Sequence, residues 1–178
     1  GLKTIMVTNG TFSEEALVRI YRWIDAFNID LKGDEDFYRK YCGGSSRPVW
    51  QSIEQITQEK VHLEVTTLVM EGVHTLEKLT AIGERLSSSG VQVWHLSRYF
   101  PHYKERRQAT SEVYLEEAVK HARMLLLPFV YPGNSTLDQN TYCPYCKTRL
   151  VSRSGIGIDT RIIGGCCPKC GNPLYGHW

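Results

Sequence analysis

The sequence predicts an α/β fold: parallel strands joined by helices in a partial (β/α) barrel, followed by a small four-cysteine metal ribbon. Three observations carry this. Strand-like and helix-like apolar patterns alternate at about thirty-residue intervals through 1–133, the mark of βα repeats on a parallel sheet. One strand, 27–32, has two opposite faces: Phe27, Ile29 and Leu31 on one, Asn28, Asp30 and Lys32 on the other. Beyond Gly133 a polar linker, 134–140, leads into two Cys-Pro-x-Cys pairs.

Taken in order, the first strand covers 4–8 and ends at Asn9-Gly10, a turn pair. Ser13 is placed to cap a helix whose first turn carries Glu14 and Glu15, anions favoured at the positive end of the helix dipole. Ala16, Leu17, Ile20, Trp23 and Ile24 recur there at helical spacing. Then comes the two-faced strand. If it is central, its charges must be paired, hydrated in a cleft or bound to a ligand. A half-exposed antiparallel strand with a solvated polar face fits the same pattern. Residues 36–41 suit a short helical turn before Cys42-Gly43-Gly44.

Pro48 belongs in a helix's first turn, with Val49, Ile53 and Ile56 as the buried stripe. The strand at 61–69 sets Val61, Leu63, Val65, Thr67 and Val69 on one face and His62, Glu64, Thr66 and Leu68 on the other. Thr75 caps a helix that turns Leu76, Leu79, Ile82 and Leu86 inward and stops at Gly90. A strand at 91–97, a helix at 111–126 and a short strand at 128–131 complete the repeats. Right-handed crossovers lay such strands side by side under helices. The polar residues then gather at the C-terminal strand ends, where α/β folds place ligands. Pointing into a partial bore, they fit a barrel better than a doubly wound sheet.

Composition narrows the function. With 178 residues, 42% apolar, the chain has the size of one domain with an appendage, and its apolar runs are too short to span a bilayer. A net charge of +2 and a pI near 8.2 argue against nucleic acid as partner. The first residues carry neither a signal peptide nor an Arg-rich presequence, which makes the cytoplasm the expected location. They also begin without Met and almost inside a strand, so the chain is expected to be part of a longer protein.

Cys143, Cys146, Cys167 and Cys170 form C-x2-C-x20-C-x2-C, the spacing of a four-thiolate metal site. Four thiolates close a tetrahedron and leave no open position, so zinc there is structural rather than catalytic. Iron in a rubredoxin-like site suits the same geometry; unmetallated thiols or disulfides are the plain alternative. Lys147, Arg149 and Lys169 stand near enough in sequence to offset the anionic charge. Cys166 reads as a spectator. Cys42 is either a reactive thiol or an ordinary loop cysteine.

Several segments, in this order, carry a resemblance. They are Val7-Thr8-Asn9-Gly10, Asn28-Ile29-Asp30-Leu31-Lys32, Phe37-Tyr38-Arg39-Lys40-Tyr41-Cys42-Gly43-Gly44, Val65-Thr66-Thr67-Leu68-Val69 and His95-Leu96-Ser97-Arg98-Tyr99-Phe100-Pro101. Tyr131-Pro132-Gly133-Asn134, Asn140-Thr141-Tyr142-Cys143-Pro144 and the closing Trp178 follow. Together they resemble the AmmeMemoRadiSam-system radical SAM enzymes, relatives of the pyruvate formate-lyase activating enzymes. The resemblance implies a partial (β/α)6 barrel holding S-adenosylmethionine against a 4Fe–4S cluster, with a 5′-deoxyadenosyl radical as the reactive species. It implies cofactor contacts at Thr8, Asn9, Asp30, Lys32 and Thr66, and Memo-like system proteins as candidate partners.

Two departures stand out. Phe100 occupies the place of a cofactor-contacting histidine of the activating enzymes, and neither His95 nor His102 replaces it by sequence position alone. The C-x3-C-x2-C cluster motif and its following glycine-rich strand are absent and would lie upstream of Gly1. The chain thus reads as the C-terminal portion of a radical SAM enzyme acting on an unknown protein or small-molecule substrate. Without earlier strands, 4–8 is expected to be a bare sheet edge, self-associating or covered by an N-terminal segment. A non-enzymatic zinc-ribbon interaction module and a rubredoxin-like electron relay are the competing functions.

Overall fold

The computed structural model describes residues 1–154 and 157–177; Trp178, part of the resemblance above, lies outside them. The chain divides into two compact units, Gly1–Thr136 and Leu137–Trp178. In the first, β1 (Ile5–Thr8), β2 (Ala26–Asp30), β3 (His62–Val69), β4 (Val93–Arg98) and β5 (Phe129–Gly133) form one sheet. Its order is β1-β2-β3-β4-β5, and every pairing is parallel. The helices α1 (Glu14–Ile20), α2 (Glu35–Phe37), α3 (Arg47–Gln58), α4 (Leu76–Ser88) and α5 (Glu112–Arg123) fill the connections. Because each strand neighbours the next in sequence, right-handed crossovers stack the helices on one side.

Alternation sorts the side chains. Phe27, Ile29, Leu63, Val65, Trp94 and Leu96 are buried toward the helix layer. There they meet Leu17 of α1, Val49, Ile53 and Ile56 of α3, Leu79, Ile82 and Leu86 of α4, and Leu115 and Val119 of α5. Among the described residues Trp94 is the largest fully buried side chain, and its Nε1–H donates to Thr67 Oγ1 at 3.0 Å, so the indole is both packed and satisfied. Gly83 makes room for it: a Cβ there would lie 2.9 Å from the Trp94 ring. Ser13, Thr75 and Ser111 cap their helices by accepting from Ala16, Lys78 and Tyr114 N–H.

Element ends differ from the sequence expectation where side chains take over backbone bonds. β2 stops at Asp30 rather than Lys32 because the Lys32 N–H donates to Tyr38 Oη at 3.2 Å instead of to β3. The expected helical turn is α2 running into a π-helical turn, Tyr38–Cys42, ended by Gly43 at φ 67°. β4 begins at Val93, and α5 ends at Arg123, short of the exposed Met124 and Leu126.

The second unit pairs β6 (Thr141–Tyr142), β7 (Arg149–Ser154) and β8 (Gly157–Thr160) antiparallel. Its buried apolar residues are few: Leu150, Val151 and Leu174 beside Cys143 and Cys167, among the described residues. No helix among the described residues is long and apolar enough to cross a membrane.

Candidate functional site

In register, a parallel sheet stacks side chains in rows. On the face without helices, Asp30, Thr66, His95 and Tyr131 stand in one row across β2, β3, β4 and β5. The row nearer the N-terminal strand ends holds Asn28, Glu64, Val93 and Phe129. The polar face expected from alternation therefore crosses four strands in the first row, while in the second it gives way to buried Val93 and Phe129 on β4 and β5.

At its C-terminal mouth, Lys32 Nζ lies 2.6 Å from Asp30 Oδ2, both side chains partly exposed. Asp30 Oδ1 is buried and has no hydrogen-bond partner. An orphaned carboxylate oxygen calls for a donor or a cation, since leaving a buried acceptor unpaired costs about 1–3 kcal/mol. Beside it, Thr66 Oγ1–H donates to Asn28 Oδ1 at 2.9 Å.

Of the five expected cofactor residues, Asp30, Lys32 and Thr66 converge here. Thr8 does not share their face: it is in register with buried Ile29, and its Oγ1 accepts from Gly10 N–H at 3.2 Å. Asn9 Oδ1 accepts from Thr11 N–H at 3.0 Å. Both side-chain oxygens thus shape the turn, where Gly10 at φ +70° leaves no space for a Cβ against Ile29 and Val49.

Sequence position alone missed Glu64 and His95. Glu64 Oε2 lies 2.7 Å from His95 Nε2 and Oε1 lies 3.3 Å from His62 Nε2. Those bonds, from His62 and then His95, hold the Glu64 carboxyl down at about 2, so it is ionised at neutral pH. The carboxylate and the stacked Tyr131 ring, 5.4 Å away, fix the His95 ring in the row of Asp30. Glu64 was on the correct face by alternation; placing His95 needed the β3–β4 register. Phe100 is half exposed under the Arg98 guanidinium, 4.8 Å from its ring. Desolvation raises the Cys42 thiol above its ordinary value, with Lys32 lowering and Asp30 raising it less. That is the opposite of an activated thiolate.

The second site is in the other unit. The sulfurs of Cys143, Cys146, Cys167 and Cys170 all lie within 4.8 Å of one another. Cys143–Cys170 and Cys146–Cys167 are each 3.6 Å apart. A tetrahedron with metal–sulfur bonds of about 2.3 Å has edges of about 3.8 Å, whereas a disulfide requires about 2.05 Å. The cysteines are clustered as metal ligands and are not bonded to each other.

Two matching knuckles build the cluster. Lys147 N–H donates to Cys143 O and Cys143 N–H to Thr148 O; Gly171 N–H donates to Cys167 O and Cys167 N–H to Asn172 O. Lys147 and Gly171 take the left-handed backbone that each turn requires, at φ 59° and 72°. Hydrogen bonds from Thr148 lower the Cys146 thiol to about 6, Asn172 lowers Cys170, and burial raises Cys143 to about 11. A groove of about 540 Å³ lies between α1 and α3, and its lining, which includes Leu17, Glu14, Gln51, Glu54 and Gln55, contains none of the residues of either site.

No family model matches the chain. An uncharacterized protein of Methanocaldococcus jannaschii is 32% identical over 162 residues, which cover 86% of this chain and 47% of that protein. The chain therefore spans about half the length of the curated relative it matches. A domain of a pyruvate-formate lyase-activating enzyme from Bacteroides vulgatus superposes with a TM-score of 0.64 at 17% identity, over 75% of this chain and 82% of that one. Streptococcus suis SuiB gives 0.63 at 9% identity, over 76% of this chain and 33% of that one. At such identities the likeness is one of fold. The five-stranded parallel sheet with its helices shares the fold of these two structures, and a four-cysteine cluster follows it in sequence.

Proposed function

We propose that this chain forms the S-adenosylmethionine-holding part of a radical SAM enzyme similar to the pyruvate formate-lyase activating enzymes, with its own structural metal site. One observation carries it: the Asp30–Lys32 pair, with its orphaned Asp30 Oδ1, at the C-terminal mouth of a parallel partial barrel. A carboxylate and an ammonium on one edge complement the ammonium and carboxylate of an amino acid such as the methionyl end of this cofactor. Thr66 and Asn28 extend that polar edge, and His95 faces it from β4. The residues present fit the cofactor.

They do not fit the cluster. Cys42 is the single cysteine of the first unit, and the other five belong to the second. In this proposal the 4Fe–4S cluster is held by cysteines outside these 178 residues. In this proposal Asp30, Lys32 and Thr66 would hold and orient S-adenosylmethionine, which beside such a cluster would supply hydrogen-abstracting radical chemistry once reduced by one electron. Memo-like proteins remain candidate partners, an unknown protein or small molecule the substrate, and the cytoplasm the location. Zinc, or iron in the same geometry, is the metal proposed for Cys143, Cys146, Cys167 and Cys170, whose four sulfurs would fill every position of a tetrahedral site.

Reduction of the intact, cluster-loaded protein with S-adenosylmethionine should release 5′-deoxyadenosine, read by chromatography. Failure to form it with a spectroscopically intact cluster would refute the proposal.

A further inference from the structure

Asp30 and Lys32 can address a ligand only if the backbone after β2 holds them, and that backbone has left the ladder. Leu31 N–H still donates to Thr66 O at 2.9 Å, but Lys32 is secured entirely by side chains. Its N–H donates to Tyr38 Oη at 3.2 Å, and its carbonyl faces His74 Nε2 at 2.8 Å. Burial raises the Tyr38 hydroxyl to about 12, so it stays a neutral phenol.

The protonation state of His74 follows from its partners. Met70 N–H, which can only donate, points at His74 Nδ1 at 3.0 Å. Nδ1 must therefore present its lone pair, and Nε2 must carry the proton it donates to the Lys32 carbonyl. Only the neutral Nε2–H tautomer satisfies both bonds. The ring is buried, lies 4.8 Å from the Phe37 ring, and fills the space a Cβ at Gly33 would need, 2.9 Å from Nε2. Tyr114 Oη–H holds the His74 carbonyl from α5. The charged groups facing it are Asp34, ahead of α2, and Lys78 of α4, which pair with each other at 2.8 Å.

We propose that His74 is a positioning residue: as the neutral Nε2–H tautomer it locks the Lys32 carbonyl and so aims the Asp30–Lys32 pair at its ligand. This rests on the S-adenosylmethionine function proposed above. Burial, the largest effect, lowers the His74 pKa, so the lock holds at neutral pH and fails as pH falls below the ordinary histidine range. Protonated Nδ1 would oppose the Met70 N–H.

The test uses calorimetric titration of S-adenosylmethionine into the intact, cluster-loaded protein, with wild type, His74→Leu, His74→Gln and Lys32→Ala. Amide exchange at Lys32 is read in parallel. His74→Leu should weaken binding about tenfold, the effect of one lost buried hydrogen bond, and speed Lys32 exchange. His74→Gln keeps a donor without a titrating ring, so it should bind within about threefold of wild type at pH 7.5. It should also lose the wild type's decline in affinity below pH 6. If Lys32→Ala weakens binding while both His74 variants bind like wild type, the positioning role is overturned, whatever happens to their melting temperatures. Equal binding by Lys32→Ala would overturn the ligand assignment, and the positioning role with it. A misfolded His74→Leu leaves the decision to His74→Gln, whose unchanged acid profile would also overturn the proposal.

Discussion

Removing metal from the four-cysteine site should unfold Leu137–Trp178 and spare the sheet. Among the described residues of this unit the buried aliphatic side chains are Leu150, Val151 and Leu174. At roughly 1.5–3 kcal/mol each, they cannot offset ordering costs of about 1–2 kcal/mol for each residue. A structural zinc contributes about 10–16 kcal/mol, which makes the metal the largest favourable contribution in the unit. Chelation, or Cys143→Ser, should therefore abolish amide protection in β6, β7 and β8 and leave β2–β4 protected. Exchange read by mass spectrometry, with elemental analysis and thiol counting, checks this. Protection surviving in β7 after the metal is shown to be gone would refute it. A red protein absorbing in the visible would assign iron in place of zinc.

Thr67→Val strands the buried Trp94 Nε1–H and should cost about 1–3 kcal/mol, lowering the melting temperature; no change would mean the indole has another partner. Because Glu64 titrates at about 2 when folded, well below its ordinary value, it adds stability that is complete above the unfolded carboxyl range. That stability is lost as pH falls from about 4.5 toward 2, so urea titrations should show wild type and Glu64→Gln converging in acid, and a pH-independent gap would contradict this. Ile5 and Val7 are 71% and 77% exposed on β1, an edge strand, so this chain should self-associate and Ile5→Lys with Val7→Lys should reduce it. Light scattering that finds wild type monomeric would contradict that expectation.

Period alone made the fold legible. Alternation put Asn28, Asp30 and Thr66 on one face and Phe27, Ile29 and Val65 on the other, and the pairings keep that division. Caps at Ser13 and Thr75 were equally plain, since a short hydroxyl before a helical stripe has one common use. The cysteine cluster was legible because Cys-Pro-x-Cys fixes a local turn, and two such turns can bring four sulfurs within reach of one ion. His95, His74 and Tyr38 were not. Their partners are Glu64 and the Lys32 backbone, reached across 31, 42 and 6 residues. His74 and Tyr38 meet backbone atoms, which no side-chain pattern records. Thr8 went the other way: a promising motif position whose register turns it toward Ile29.

The central claim concerns Lys32, and calorimetry of S-adenosylmethionine binding to the intact, cluster-loaded protein tests it most directly. Losing a charge-assisted contact of roughly 1.5–3 kcal/mol should weaken Lys32→Ala at least about tenfold, with the metal content of Cys143, Cys146, Cys167 and Cys170 unchanged. Equal affinities, with only stability altered, would show that Lys32 does no more than pair with Asp30 at 2.6 Å, and would contradict the cofactor role.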